Sequence, residues 1–262
     1  MWLGGASSAL WSAHIAAGAV GVLVYAAVTR FRQLSFTGMA TTAIAGTLAL
    51  LATLIAPDLE GVQRWLVLGP VRLNASALVM PALLVFVAGY RRSSPALLPS
   101  LLLAVQGIHL LQPDAGQATA VAAASVVLLF GDSSRNTARL CALLSVATAA
   151  ATWARADPLS AAPFVEDILG RAFDISPWAG GVALASLAPV IAAPLAARGE
   201  STSAAAMSAA AALTVYFATS ILVTAFGQFP VPLLGFGASP VIGAFLGVAL
   251  QNVGAEQNWG RG

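Results

Sequence analysis

Residues 8–29 read SALWSAHIAAGAVGVLVYAAVT, twenty-two positions without one Asp, Glu, Lys or Arg. A helix needs about 20 apolar residues to cross a hydrocarbon core. In lipid only a helix or a closed barrel satisfies its own backbone. Comparable runs recur near 36–56, 74–90, 95–111, 117–131, 137–153, 178–197, 206–227 and 232–251. The chain therefore reads as an all-α polytopic transmembrane helix bundle of about nine spans. Eight or ten remain open, because 95–111 is short and 117–131 needs residues beyond its edges. No basic segment precedes the first run and no A-x-A-like site follows it, so 8–29 reads as a retained helix. Of 262 residues 59% are hydrophobic and 8% charged, against roughly a quarter charged in a soluble domain. That excludes a soluble enzyme. No linker or composition shift divides the chain, which reads as a single membrane domain over 1–262.

The twelve basic residues are all arginine, and a net charge of +2 on so apolar a chain leaves no nucleic-acid footprint. The single cysteine, Cys141, excludes an intrachain disulfide, and two histidines are too few for most histidine-based zinc sites. Arginine asymmetry sets orientation. One set of connections holds Arg30, Arg32, Arg91, Arg92, Arg135, Arg139, Arg198 and Arg261; the other holds Arg64, Arg72, Arg155 and Arg171. The first set shares Asp132, Glu200 and Glu256, whereas seven carboxylates fall in the second. The expectation is an outside N-terminus and a cytoplasmic C-terminus, as in a bacterial inner membrane. The outer connections 57–73 and 154–177 are then the stretches able to hold an external site.

Three outer stretches carry chemistry. Gly61-Val62-Gln63-Arg64-Trp65-Leu66-Val67-Leu68-Gly69-Pro70-Val71-Arg72-Leu73-Asn74-Ala75-Ser76 sets arginine beside tryptophan at a membrane boundary. Such a pair anchors a helix end and meets lipid phosphate, or grips a diphosphate through two parallel hydrogen bonds from Arg64 and Arg72. Leu111-Gln112-Pro113-Asp114-Ala115-Gly116-Gln117-Ala118 is a tight turn in which Asp114 suits a helix N-cap. Pro230-Val231-Pro232-Leu233-Leu234-Gly235-Phe236-Gly237-Ala238-Ser239-Pro240 breaks the entry to the last span, as broken backbone lining a cavity does. His109 and His14 read as satisfied or interfacial histidines, and Trp153 and Trp178 as interface anchors.

In order and spacing these stretches resemble the SEDS family of bacterial cell-wall polymerases, the FtsW/RodA/SpoVE group. Its patterns G-A-x-R-W-I-x-L-G-P-x-x-x-Q-P-S-E-L-x-K-P-A, Q-P-D-L-G-T-A and P-F-I-S-Y-G-G-S-S meet Gly61, Arg64, Trp65, Leu68, Gly69, Pro70, Ser76, Leu78, Pro81 and Ala82, then Gln112-Pro113-Asp114 with Gly116 and Ala118, then Pro232, Gly237 and Ser239. The likeness spans 36–251 in outline. The family usually has ten spans with both ends cytoplasmic, and this chain reads as lacking the first. Ala77 and Met80 replace the family's acid and lysine, and the loop 154–177 is much shortened, keeping Trp153-Ala154-Arg155-Ala156-Asp157-Pro158 of a W-x-P-x-x-D-P element.

The resemblance implies glycosyl transfer between lipid II-type, polyprenyl-diphosphate-linked disaccharides on the outer leaflet, serving cell division or elongation. Asp157 is then the expected general base. Arg64, Trp65, Arg72, Ser76, Gln112, Asp114, Glu166 and Ser239 are the expected substrate-binding residues. Asp114 or Glu166 is a position for a magnesium ion, and a penicillin-binding-type transpeptidase is the implied partner. Two other readings stay open: a non-catalytic scaffold keeping the lipid groove, and a flippase of lipid-linked sugars. The topology is tested by a reporter active only in the cytoplasm, which should work when fused after Gly262. Silence there with activity at the N-terminus contradicts the span count.

Overall fold

The computed structural model describes residues 5–30, 36–69, 71–90, 92–130 and 136–257. Arg32, Arg91, Arg135, Arg261 and Asp132 of the orientation count, and Pro70 of the first motif, lie outside them. The helices are α1 (Ser8–Arg30), α2 (Phe36–Thr53), α3 (Ala75–Tyr90), α4 (Leu97–Leu111), α5 (Ala115–Phe130), α6 (Asn136–Trp153), α7 (Ile168–Ile175), α8 (Pro177–Ala185), α9 (Ala188–Ala197), α10 (Ala204–Leu222) and α11 (Ala238–Glu256). With α8 and α9 in line as one span, the nine expected apolar runs each fall on a helix among the described residues. The protein is a polytopic membrane bundle.

Two features depart from the expected plan. The span read at 178–197 is broken at Ser186 and Leu187, because Pro189 sits in the first turn of α9. Proline there lacks an N–H and clashes with the carbonyl four residues back, so the ladder restarts. The outer connection 57–73 holds an antiparallel hairpin of β1 (Trp65–Leu68) and β2 (Val71–Asn74), in register Trp65↔Asn74 to Leu68↔Val71. Gly69, at φ +59°, supplies the left-handed turn residue that such a tight reversal requires.

Capping fixes where the helices start. Asn74 Oδ1 accepts from the Ala77 N–H at the head of α3 (2.9 Å). Ser176 Oγ accepts from Ala179 N–H (3.0 Å) with Pro177 at the first helical position, and Ser203 Oγ accepts from Ala206 N–H (3.1 Å). Each satisfies one orphan donor of a first turn.

Helix α3 is the axis of the bundle. Residues Ala75–Ala77 and Met80–Gly89 are buried, and α3 packs against α2, α10 and α11. Lipid gives little hydrophobic drive between helices, so close backbone approach must hold them. Pro81 cannot donate to Ala77, which leaves that carbonyl outside the α3 ladder. Gly243 of α11 lies against the same carbonyl, and Gly247, one turn on, lies against the Pro81 ring. A Cβ at either position would overlap those atoms. On the other side of α11, the Phe245 ring fills the space that Gly21 leaves on α1. Gly21, Gly243 and Gly247 are thus packing positions. Gly243→Val should force α3 and α11 apart and cost about 1–3 kcal/mol by overpacking, read as a lower melting temperature in detergent; an unchanged melt contradicts this contact.

Candidate functional site

At the end of the bundle that carries the hairpin, three polar segments meet on Arg64. The side chain is 7% exposed. Its Nε donates to the Gln112 carbonyl (3.0 Å), and its Nη2 donates to the Pro113 carbonyl and to Asp157 Oδ2 (2.6 Å). Asp114 Oδ2 stands 3.9 Å from Nε. A buried guanidinium must be neutralised and hydrogen-bonded to be tolerated. This one is, by a turn and two carboxylates distant in sequence. The Nη1 hydrogens have no partner among the described residues.

Asp114 also caps α5, its Oδ1 accepting from Gln117 N–H (3.1 Å). The Gln112 side chain donates to Thr53 Oγ1 on α2. The turn is therefore pinned to α2 and α5 as well as to the hairpin strand that follows Arg64.

Beside Arg64 opens a cavity of about 320 Å³. Its polar wall combines Arg64, Arg72, Asn74, Asp114, Gln117, Glu166, Ser220 and Ser239, with Trp65, Phe229 and Phe236 as aromatic sides. Arg72 is exposed, and it has no ion-pair partner among the described residues. Glu166 is half-buried and its Oε2 accepts from Ala162 N–H (2.9 Å). Burial pushes its carboxyl above the usual range, against the opposing pull of the Ala162 N–H and of Arg64, while Asp157 and Asp114 push it further up.

The cavity gathers six of the residues expected from sequence: Arg64, Trp65, Arg72, Asp114, Glu166 and Ser239. Three others stand elsewhere. Asp157 is an exposed loop residue that pairs with Arg64 and does not line the cavity, with Oδ1 accepting from Leu159 N–H (3.2 Å). Gln112 is buried behind the turn. Ser76 is 2% exposed and within 2.6 Å of His109 Nε2. Gln106 fixes that pair, since its amide nitrogen donates to the Ala118 and Ser145 carbonyls (2.8 and 3.3 Å). Its Oε1 therefore accepts from His109 Nδ1–H (3.2 Å), and His109 Nε2 accepts the Ser76 proton. His109 is a satisfied buried histidine.

Asn74, Gln117 and Ser220 are wall residues that the sequence did not single out. Asn74 and Gln117 sit within the quoted motifs. Ser220 follows Thr214, Tyr216 and Thr219 in an otherwise apolar helix, and no motif marks it out from them. Gln117 is held by the Tyr216 hydroxyl of α10, donated to its Oε1 at 2.7 Å.

A model of the FtsW/RodA/SpoVE cell cycle proteins matches residues 3–161, more than half of the chain. The chain belongs to the FtsW/RodA/SpoVE family. No curated protein matches it. Among solved structures, the rod-shape-determining protein RodA of Thermus thermophilus is similar with a TM-score of 0.73 at 22% identity, covering 98% of this chain and 90% of that one. A point mutant of that RodA gives 0.73 at 21% identity over 98% and 91%. A structure described as structural coordination of polymerization and crosslinking by a peptidoglycan synthase complex gives 0.60 at 23% identity over 98% and 93%. At these identities the structural likenesses speak for the fold. In this FtsW/RodA/SpoVE chain the matched region contains Arg64, Asp114 and Asp157, whereas Glu166 and Ser239 lie beyond it and enter the site through the fold.

Among the described residues no group of three or more His, Cys, Asp or Glu side chains stands at metal-binding spacing. Arg64→Ala should strip the Gln112 and Pro113 carbonyls of their donor and leave Asp114 buried and unpaired. The expected cost is about 3–5 kcal/mol. Arg64→Lys restores the charge but not the fork, so its melting temperature in detergent should fall between the two. A wild-type melt for the alanine variant contradicts the role of this arginine.

Proposed function

We propose that this protein is a cell-wall glycosyltransferase that joins polyprenyl-diphosphate-linked disaccharides at the outer leaflet of the bacterial cytoplasmic membrane. The carrying observation is one cavity that holds an exposed cation, Arg72, without an ion-pair partner among the described residues, and a half-buried carboxyl, Glu166. The arginine asymmetry supports an outer position for this end of the bundle.

In the reaction the acceptor hydroxyl oxygen bonds to the donor's anomeric carbon as the bond from that carbon to the diphosphate oxygen breaks. The hydroxyl proton passes to Glu166, and the diphosphate departs with the electron pair. Arg72 and the free Nη1 edge of Arg64 face the charge that develops there. Glu166 takes the base role in preference to Asp157 because it lines the cavity, whereas both oxygens of Asp157 are engaged by Arg64 and the Leu159 N–H. Asp157 serves as the counter-charge that holds Arg64.

Asp114 and Glu166 share the wall, and a magnesium ion would need diphosphate oxygens and water to complete its shell there. Bound, it would add neutralising charge at the leaving group. An apolar recess of about 530 Å³, walled by Tyr25, Leu187, Val190, Phe217 and Phe245, suits a hydrocarbon chain in the adjoining bilayer. The likeness to a chain of a complex that couples polymerization to crosslinking supports a transpeptidase of the penicillin-binding type as partner.

Purified protein incubated with lipid II should yield glycan polymer separable by length. Glu166→Gln should lower turnover by about 10²–10⁴-fold with little change in binding. Arg72→Ala should weaken binding of the diphosphate substrate while leaving the melting temperature unchanged. Glu166 must be ionised to act. Its raised proton affinity therefore puts the acidic limb of the pH–rate profile above the ordinary glutamate range of about 4.3. Full turnover in Glu166→Gln contradicts this assignment, and wild-type protein that binds lipid II without elongating it favours the scaffold.

A further inference from the structure

Glu166 reaches the cavity on a loop, and the segment 231–237 holds that loop by its backbone. Val231 N–H donates to the Val165 carbonyl (3.2 Å) and Phe236 N–H to the Phe164 carbonyl (3.0 Å). Between them the segment folds back on itself through Gly235 N–H to the Val231 carbonyl (3.0 Å). Phe164 and Leu233 lie at φ +62° and +60°, a conformation that side-chain-bearing residues keep only where their surroundings over-determine it. The Phe236 ring packs against Trp11, His14 and Phe164, with centroids 5.3, 5.1 and 6.4 Å away. The two segments form one clasp.

Gly235 lies flat against the Val165 peptide within that clasp. A Cβ there would overlap the Val165 carbonyl oxygen and stand 3.1 Å from its carbon and 3.2 Å from its Cα. These are backbone atoms, which cannot swing aside as a side-chain end would. The Val165 carbonyl and the Glu166 N–H belong to one planar peptide unit. Pushing the oxygen therefore turns the unit from which the Glu166 side chain departs, along with the Glu166 N–H bond to the Ala162 carbonyl (3.3 Å).

We propose that Gly235 is a positioning residue for Glu166: its missing Cβ lets the 231–237 turn close on the Val165 peptide, and that closure fixes where the carboxyl stands in the cavity. This rests on the reading of Glu166 as base. Misplacing a catalytic group by about 1 Å costs on the order of 10²-fold in rate.

With lipid II as substrate, assayed well below its own lowered melting temperature, Gly235→Ala should lower kcat by about 10²-fold and leave KM within about twofold. Gly170→Ala, a helical glycine of α7 with nothing within 4 Å of its added Cβ, should behave as wild type. In a Glu166→Gln background Gly235→Ala should change nothing further, because both act through one carboxyl. Phe236→Leu loosens the clasp without adding a Cβ and should show the same coupling if the alanine variant does not fold. Full activity in Gly235→Ala, or a loss that adds to that of Glu166→Gln, overturns the proposal.

Failure of the base reading shows separately, as wild-type turnover in Glu166→Gln or no polymer from wild type. Positioning is then read without catalysis. A cysteine introduced as Glu166→Cys, with Cys141→Ala, should change its reaction rate with a methanethiosulfonate reagent several-fold on adding Gly235→Ala. An unchanged rate overturns it.

Discussion

A guanidinium buried at the membrane boundary must find oxygen atoms from the protein itself. Arg64 finds the carbonyls of Gln112 and Pro113 and the carboxylates of Asp114 and Asp157. That requirement ties the segment before β1, the turn between α4 and α5, and the loop after α6 into one object. The hairpin then presents Arg72 and Trp65, the turn presents Asp114 and Gln117, and the loop brings Glu166 to the same cavity. The site is the space left beside that knot.

Its supports follow the same logic of satisfying polar groups in an apolar medium. Pro81 leaves the Ala77 carbonyl outside its ladder, and the glycine face of α11 closes over it. Beneath the turn Ser76 donates to His109, His109 donates to Gln106, and the Gln106 amide nitrogen donates to the Ala118 and Ser145 carbonyls. The two arginines of the first motif differ: Arg64 is tied to protein oxygens, whereas Arg72 is exposed and has no ion-pair partner among the described residues.

The spans were legible because their signal is local: twenty or so residues without charge can do little else. The cap by Asp114 was legible for the same reason. The hairpin was hidden because Trp65-Leu66-Val67-Leu68 and Val71-Arg72-Leu73-Asn74 are four residues each, too short to show an alternation against so apolar a background. The break at Ser186 and Leu187 could have been read from Pro189. Partnership across the fold was not legible. Nothing near Asp157 announces that its carboxylate faces Arg64 ninety-three positions away, and nothing near Ser76 announces His109. Glu166 and Ser220 enter the wall only when α7, α10 and the 231–237 segment are in place. Motif spacing marked the region, and the fold decided which of its polar residues line the cavity and which, like Ser76 and Gln112, are buried away from it.

The central claim is that this cavity receives the diphosphate head of a lipid-linked sugar. It is most directly tested by protection from a membrane-impermeant thiol reagent, with single cysteines introduced by Ala162→Cys, at an exposed position of the cavity wall, and Gln228→Cys outside it, in a Cys141→Ala background. In nanodiscs, lipid II should slow labelling at Ala162→Cys several-fold and leave Gln228→Cys unchanged, and polyprenyl monophosphate should protect much less. Equal labelling at position 162 with and without lipid II, or equal protection by the monophosphate, would contradict the account.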